Sequence, residues 1–275
     1  MLKQRVITAV VLLALLAGAL AWSVLAFALL ATVTVGAALG EWLQLVGWPR
    51  AVAVGGAVAF SGLLLIVALA APGWIEHALL PLSLLATIVW AALALLLLQA
   101  DAMTLRLPRA VSTVLAVLLT AAAWAALVHF LLEGIVMLLS VLVIVWLADT
   151  AAYFAGRTFG KRKLAPHISP GKTWAGVAGA MVAVIAAAFI ASQFAPAADL
   201  LSNRLLASLG STGALLLAAL VMMSVVGDLF ESLLKRQAGV KDSSRLLPGH
   251  GGVYDRVDAL LPTLPVAALL VWMAR

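Results

Sequence analysis

Apolar residues run along this chain in stretches too long for the helices of a water-soluble domain. Read between charged, proline or glycine breaks, they fall near residues 6–22, 24–46, 51–71, 77–98, 110–130, 134–156, 174–194, 210–234 and 259–274. A helix crossing a hydrocarbon core roughly 30 Å thick needs about 20 such residues. The pattern predicts an all-α, polytopic integral membrane protein with about nine transmembrane helices. The weakest break, at Trp22-Ser23, separates the first two. No hydrophilic stretch is long enough for a separate soluble domain. Residues 1–275 therefore read as one membrane-embedded domain, five helices over 1–130 and four over 131–275. The opening Met1-Leu2-Lys3-Gln4-Arg5 has the shape of a signal-peptide start. The apolar run continues past Trp22 without a cleavage context, however, and reads better as a first helix.

Composition agrees: 65% of the 275 residues are hydrophobic and 10% charged, against about 25% charged in soluble domains. This excludes a soluble globule and a disordered chain. The absence of cysteine excludes thiol catalysis and thiolate metal sites. A net charge of +6 would suggest nucleic acid in a soluble protein. In a membrane protein it reflects loop asymmetry, and no nucleic-acid partner is expected. With the N-terminus inside, the nine spans leave fifteen Lys and Arg on one side. Only Arg204 and Arg275 fall on the other. Basic residues favour cytoplasmic loops, so the N-terminus is predicted to be cytoplasmic and the C-terminus not.

The charges are also concentrated. Residues 149–174 and 228–258 hold ten of the fifteen cytoplasmic cations, six of the eleven acids and two of the four histidines. Asp228, Glu231, Ser232 and Lys235 recur at i, i+3, i+4 and i+7, one helical face, with Asp228 about 10 Å deeper than Lys235. Acids at that depth are functional candidates by default, although an ion pair with Lys235 would also account for them. The loop that follows packs Lys241, Asp242, Arg245, Asp255, Arg256 and Asp258 around a His250-Gly251-Gly252 turn. Carboxylates supply the hard oxygens Mg²⁺ prefers, glycines let backbone N–H groups approach phosphate, and Lys and Arg neutralise it. Upstream, Asp149, Tyr153 and Gly156 share a face, followed by Arg157, Lys161, Arg162, Lys163, His167, Ser169 and Lys172. Ser169-Pro170-Gly171-Lys172-Thr173 is not a P-loop, because position 166 is proline where that motif needs glycine. A positive-inside cluster binding anionic headgroups would look similar. Glu41, beside Trp42 near the cytosolic end of the second span, is a weaker candidate, and His77 and His129 suit helix ends. Acids within spans also occur in transporters and channels. The charges here, however, gather at one face, without broken helices in repeat-related positions. Composition alone leaves open other membrane enzymes using a nucleotide and a lipid phosphate, such as a polyprenol kinase or a cytidylyltransferase for ether lipids.

The segment from Ser232-x-Leu234-Lys235-Arg236 through Lys241-Asp242, Leu247-Pro248-x-His250-Gly251-Gly252-Val253 to Asp255-Arg256-Val257-Asp258 resembles the signature of the phosphatidate cytidylyltransferases. Asp149–Arg157, Ser169–Trp174 and Gly40-Glu41-Trp42 resemble further blocks of that family. One departure is Ala175, where relatives usually carry Glu or Gln. The resemblance implies transfer of a cytidylyl group from CTP to phosphatidate, giving CDP-diacylglycerol and pyrophosphate for phospholipid synthesis. It also implies Mg²⁺, with K⁺ as a companion ion, a homodimer, and a bacterial-type cytoplasmic membrane with the site on the cytosolic face. Carried over by position, Asp228 and Asp255 are the expected metal pair. Lys235, Lys241 and Asp242 are the expected catalytic partners. Arg236, His250, Gly251, Gly252, Arg256, Asp149, Tyr153, Arg157, Ser169, Lys172, Thr173 and Ser232 are expected to bind substrate.

Overall fold

The computed structural model describes residues 2–70, 72–97, 105–194 and 199–274. The N-terminal part comprises α1 (Leu2–Trp22), α2 (Val24–Leu45), α3 (Arg50–Ala70), α4 (Pro72–Leu97) and α5 (Arg109–Glu133). After α6 (Ile135–Phe159) come β1 (Lys163–Ala165), β2 (Ser169–Thr173), α7 (Trp174–Ala191) and α8 (Leu201–Leu209). The chain ends with α9 (Ser211–Gln237), α10 (Tyr254–Val257) and α11 (Leu260–Met273). Among the described residues eight stretches are long and apolar enough to cross a membrane, and α1 adds a shorter one, Val6–Trp22. The protein is a polytopic helical membrane protein. The break at Ser23 is real: its backbone is extended and its hydroxyl accepts the Ala26 N–H at 3.0 Å, an N-cap for α2.

Two elements were not anticipated. Residues 163–173, read as loop, form an antiparallel hairpin pairing Lys163 with Thr173 and Ala165 with Ser169. The short amphipathic α8 lies between the last two long spans of the sequence pattern before α11, its inner side buried at Leu201 and Leu205.

The core sits between α2, α4, α5, α9 and α11, with Trp42, Trp90, Phe130 and Phe230 fully enclosed. Water-driven burial is weak inside a bilayer, so close backbone approach must hold the helices together. Small residues permit it. A Cβ on Gly179 of α7 would collide with Ala155 of α6, and one on Gly227 of α9 would collide with the Asp258 carbonyl and Pro262. The second approach draws the acidic end of α9 against the start of α11. At that same face, the Thr8 hydroxyl of α1 donates to the Pro248 carbonyl at 2.8 Å.

Candidate active site

The loop between α9 and α10 is held from below by one buried carboxylate. Glu41, on α2, accepts from the Ser243 and Ser244 hydroxyls at 2.7 and 2.6 Å and from the Val253 and Tyr254 N–H groups at 3.0 and 2.8 Å. Trp42 stacks on the Tyr254 ring, centroids 5.3 Å apart, and contacts Phe230 of α9 at 5.2 Å. Glu41 was a minor candidate from sequence; here it organises the loop. Its place beside Trp42 near a span end and the resemblance of Gly40-Glu41-Trp42 to a family block were the signals that pointed to it.

Asp255 occupies the upper level of the same arrangement. Its Oδ1 accepts from Lys235 Nζ at 2.7 Å. Its Oδ2 accepts the Gly252 N–H at 2.7 Å and the Ser243 N–H at 2.9 Å. The Ser243 hydroxyl lies 2.9 Å from Asp255 and 2.7 Å from Glu41, and its one proton serves one of them at a time. The glycines are required by this crowding. Gly251 adopts φ +84°, and a Cβ there would lie 2.7 Å from Asp255 Oδ2. A Cβ on Gly252 would strike Ser243 Oγ and the Glu41 carboxylate.

One helical turn deeper, Asp228, Glu231 and Asp258 each present an oxygen within 4.8 Å of the others. Glu231 is 1% exposed; its Oε2 meets Lys235 Nζ at 2.5 Å, and among the described residues its buried Oε1 accepts no hydrogen bond from an N–H or hydroxyl group. Asp228 Oδ2 meets Lys172 Nζ at 2.6 Å, and Ser232 donates to Asp228 at 3.4 Å. Asp149 of α6 interacts electrostatically with Asp228 and Lys172. Carboxylates this close repel unless a cation or a shared proton intervenes, and Glu231 Oε1 is a buried oxygen available to either. This donor set fits a hard divalent cation such as Mg²⁺. Of the expected metal pair, Asp228 lies in this cluster and Asp255 adjoins it, sharing Lys235 Nζ with Glu231. Asp228 groups with Glu231 and Asp258, whereas the oxygens of Asp255 are already taken by Lys235 and the loop.

The remaining sequence candidates fall into three places. Lys241, Asp242, His250, Gly251 and Arg256, with Arg245 and Gln4, line a cleft of about 600 Å³ beside the loop. Arg256 grips the loop as well, its Nε and Nη2 donating to the His250 carbonyl at 3.1 and 2.8 Å. Lys172 reaches the acidic cluster from β2, and Arg236 Nε donates to the Ile168 carbonyl of the hairpin at 3.3 Å. Ser169 sits half-buried at the start of β2. Thr173 is buried as the N-cap of α7, accepting the Gly176 N–H at 3.1 Å, which assigns it a structural contact. Tyr153 and Arg157 are exposed on α6 and bonded to each other at 3.2 Å, with no contact to the acidic cluster among those described.

A sequence profile of the Cytidylyltransferase family matches residues 3–274. The chain belongs to that family. It is 39% identical over 289 aligned positions to a phosphatidate cytidylyltransferase of Pseudomonas aeruginosa, covering 100% of this chain and 98% of that one. Proteins of the same name from Haemophilus influenzae and Staphylococcus epidermidis are 50% and 43% identical over 134 and 141 residues. Those alignments cover 48% and 50% of this chain, and 44% and 50% of the relatives. The chain thus spans about half the length of some curated relatives and nearly all of another. Within the family's frame, the acidic cluster, the Lys235–Asp255 pair and the basic cleft form one continuous polar site at one membrane face.

Proposed function

We propose that this protein transfers a cytidylyl group from CTP to phosphatidate, releasing pyrophosphate and forming CDP-diacylglycerol. The observation that carries this reading is the vertical order of the site: carboxylates and Lys172 at the helix ends, and the cationic cleft of Lys241, Arg245 and Arg256 beside the loop above them. Phosphatidate keeps its acyl chains in the bilayer and offers its phosphate at the boundary. CTP arrives from water. The name of the Pseudomonas aeruginosa relative gives phosphatidate as the acceptor and cytidylyl as the group transferred.

A phosphatidate phosphate oxygen attacks the α-phosphorus of CTP. The bond from that phosphorus to the bridging oxygen of the β-phosphate breaks, and pyrophosphate departs. The attacking oxygen is already anionic, so no general base is needed, and catalysis rests on positioning and charge neutralisation. The cationic cleft holds the polyphosphate. Lys235, fixed by Glu231 and Asp255, presents its ammonium between cleft and cluster. Lys172 neutralises the lipid phosphate beside Asp228. Asp228, Glu231 and Asp258 would hold Mg²⁺, which when bound neutralises phosphate oxygens as charge builds on the leaving group.

The reading places the site on the cytosolic face of a bacterial inner membrane, supported by the fifteen-to-two charge asymmetry and by the N-terminal helix ending at the site. It also includes a homodimer, checked by the mass of the detergent-purified protein. Purified protein given Mg²⁺, CTP and phosphatidate should form CDP-diacylglycerol and pyrophosphate in equal amounts. Lipid-independent CTP hydrolysis, or no turnover across several detergents, would overturn the assignment.

A further inference from the structure

On the side of α9 turned away from the acidic cluster lies a second cavity, of about 400 Å³. Asp228, Glu231, Ser232 and Lys235 face the site; Phe230, Leu233, Leu234 and Gln237 face this cavity. Its other walls are the end of α2 from Gln44 to Gly47 and the segment Leu105–Arg109 entering α5. The walls are fastened together: Gln237 Nε2 donates to the Leu105 carbonyl at 2.6 Å, and the Arg109 guanidinium lies 5.3 Å from the Trp48 ring centre. Its buried floor is apolar at Phe230, Leu233 and Leu234, its exposed rim carries Arg106 and Arg109, and no acid is among the described residues that line it. Neither arginine forms a salt bridge among the described residues. The cavity opens level with the last turn of α9, at the membrane face that bears the site.

Two exposed arginines alone would be an ordinary charged boundary. A fastened cavity with an apolar floor is different, because a solvated cation needs no cavity, whereas an amphiphile with an anionic head matches both levels of this one. We infer that this cavity binds the headgroup of a membrane phospholipid, its phosphate held by Arg106 and Arg109 and the start of its chains lying on the half-buried Leu45, Val46 and Leu107. The cavity adjoins the aromatic cluster beneath the loop. Ser112 lines the cavity and accepts from Trp42 Nε1 at 3.2 Å, and Trp42 in turn packs on Phe230 and Tyr254.

The phosphate could belong to phosphatidate itself or to a diester lipid such as phosphatidylglycerol, so both are titrated separately into the full-length protein in detergent micelles. Native mass spectrometry should show one saturable lipid per chain for at least one of them. Arg106→Gln with Arg109→Gln should weaken that binding about tenfold. Lys161→Gln with Lys163→Gln, removing the same charge elsewhere, should leave it unchanged. Saturation by phosphatidate alone assigns the cavity to a second molecule of the substrate class, and saturation by phosphatidylglycerol assigns it to a diester lipid. Equal losses in both double variants, or binding that never saturates, overturn the inference. A lipid bearing a photoreactive headgroup gives a readout that needs no variant. It should label residues 44–47 or 105–109 of the unaltered protein, and labelling confined to other segments overturns the inference.

Discussion

Glu41 satisfies four donors with two oxygens, and every donor lies more than 200 residues further along the chain. Removing its acceptors strands two buried backbone N–H groups, at about 1–3 kcal/mol each. Glu41→Ala is therefore expected to lower kcat/KM for CTP by about a hundredfold. Glu41→Gln, which keeps the shape and one acceptor, should recover part of the loss; pyrophosphate-release kinetics measure both. Near-normal rates in Glu41→Ala would show that the loop holds its shape unaided. The carboxylates of the site should also separate by their response to metal. Asp228→Asn removes an oxygen from the acidic cluster and should shift the Mg²⁺ activation midpoint upward by about tenfold or more. Asp255→Asn should lower turnover while leaving that midpoint near its original value, since its oxygens hold Lys235 and the loop. A larger midpoint shift in Asp255→Asn than in Asp228→Asn would return Asp255 to the metal. Residue types and spacing made both acids visible as candidates. Which oxygens lie together and which accept N–H groups is a three-dimensional fact, and it adds Glu231 and Asp258 beside Asp228 while Asp255 holds Lys235 and the loop.

Among the elements, α9 bears the most, with the acidic cluster on one side and the second cavity on the other. Its position depends on the absence of a side chain at Gly227. Gly227→Ala forces α9 away from the Asp258 carbonyl and should cost about 1–3 kcal/mol of packing. The expected result is a lowered melting temperature in detergent together with a weakened Mg²⁺ response; an unchanged melt would mean the two helices can slide apart freely. The long helices were legible because 18 or more apolar residues have few other readings. The hairpin was not, because Lys163-Leu164-Ala165 and Ser169-Pro170-Gly171-Lys172-Thr173 lack the alternation of a half-buried strand, and Pro170 argues against one. Its pairing comes from the ends of α6 and α7, which close packing at Gly179 holds side by side. The nine-residue α8 escaped notice for a similar reason: Ser202, Asn203 and Arg204 interrupt its apolar side.

For the whole molecule, the site is a cap of charge on one end of an apolar bundle. A chelator should abolish turnover, and added Mg²⁺ should restore it; activity persisting in excess chelator would remove the metal from the reading. A reporter fused after Arg275 should report a non-cytoplasmic position, and a cytoplasmic signal would break the nine-span topology. That expectation rests on hydropathy and the sorting of cations, each a one-dimensional property; the eight long apolar helices and the shorter Val6–Trp22 agree with the hydropathy part. The union of α2 with the loop after α9 is not one-dimensional, and no local pattern announces it.

The hydrogen bond from Thr8 to the Pro248 carbonyl has a consequence for biosynthesis. α1 and Glu41 are both synthesised more than 200 residues before the loop that they hold. No shortened nascent chain contains a finished site. The site can assemble only after the chain has been made through Asp258. Two separately expressed halves, split after α5, should each be inert and regain turnover only when they meet in one membrane.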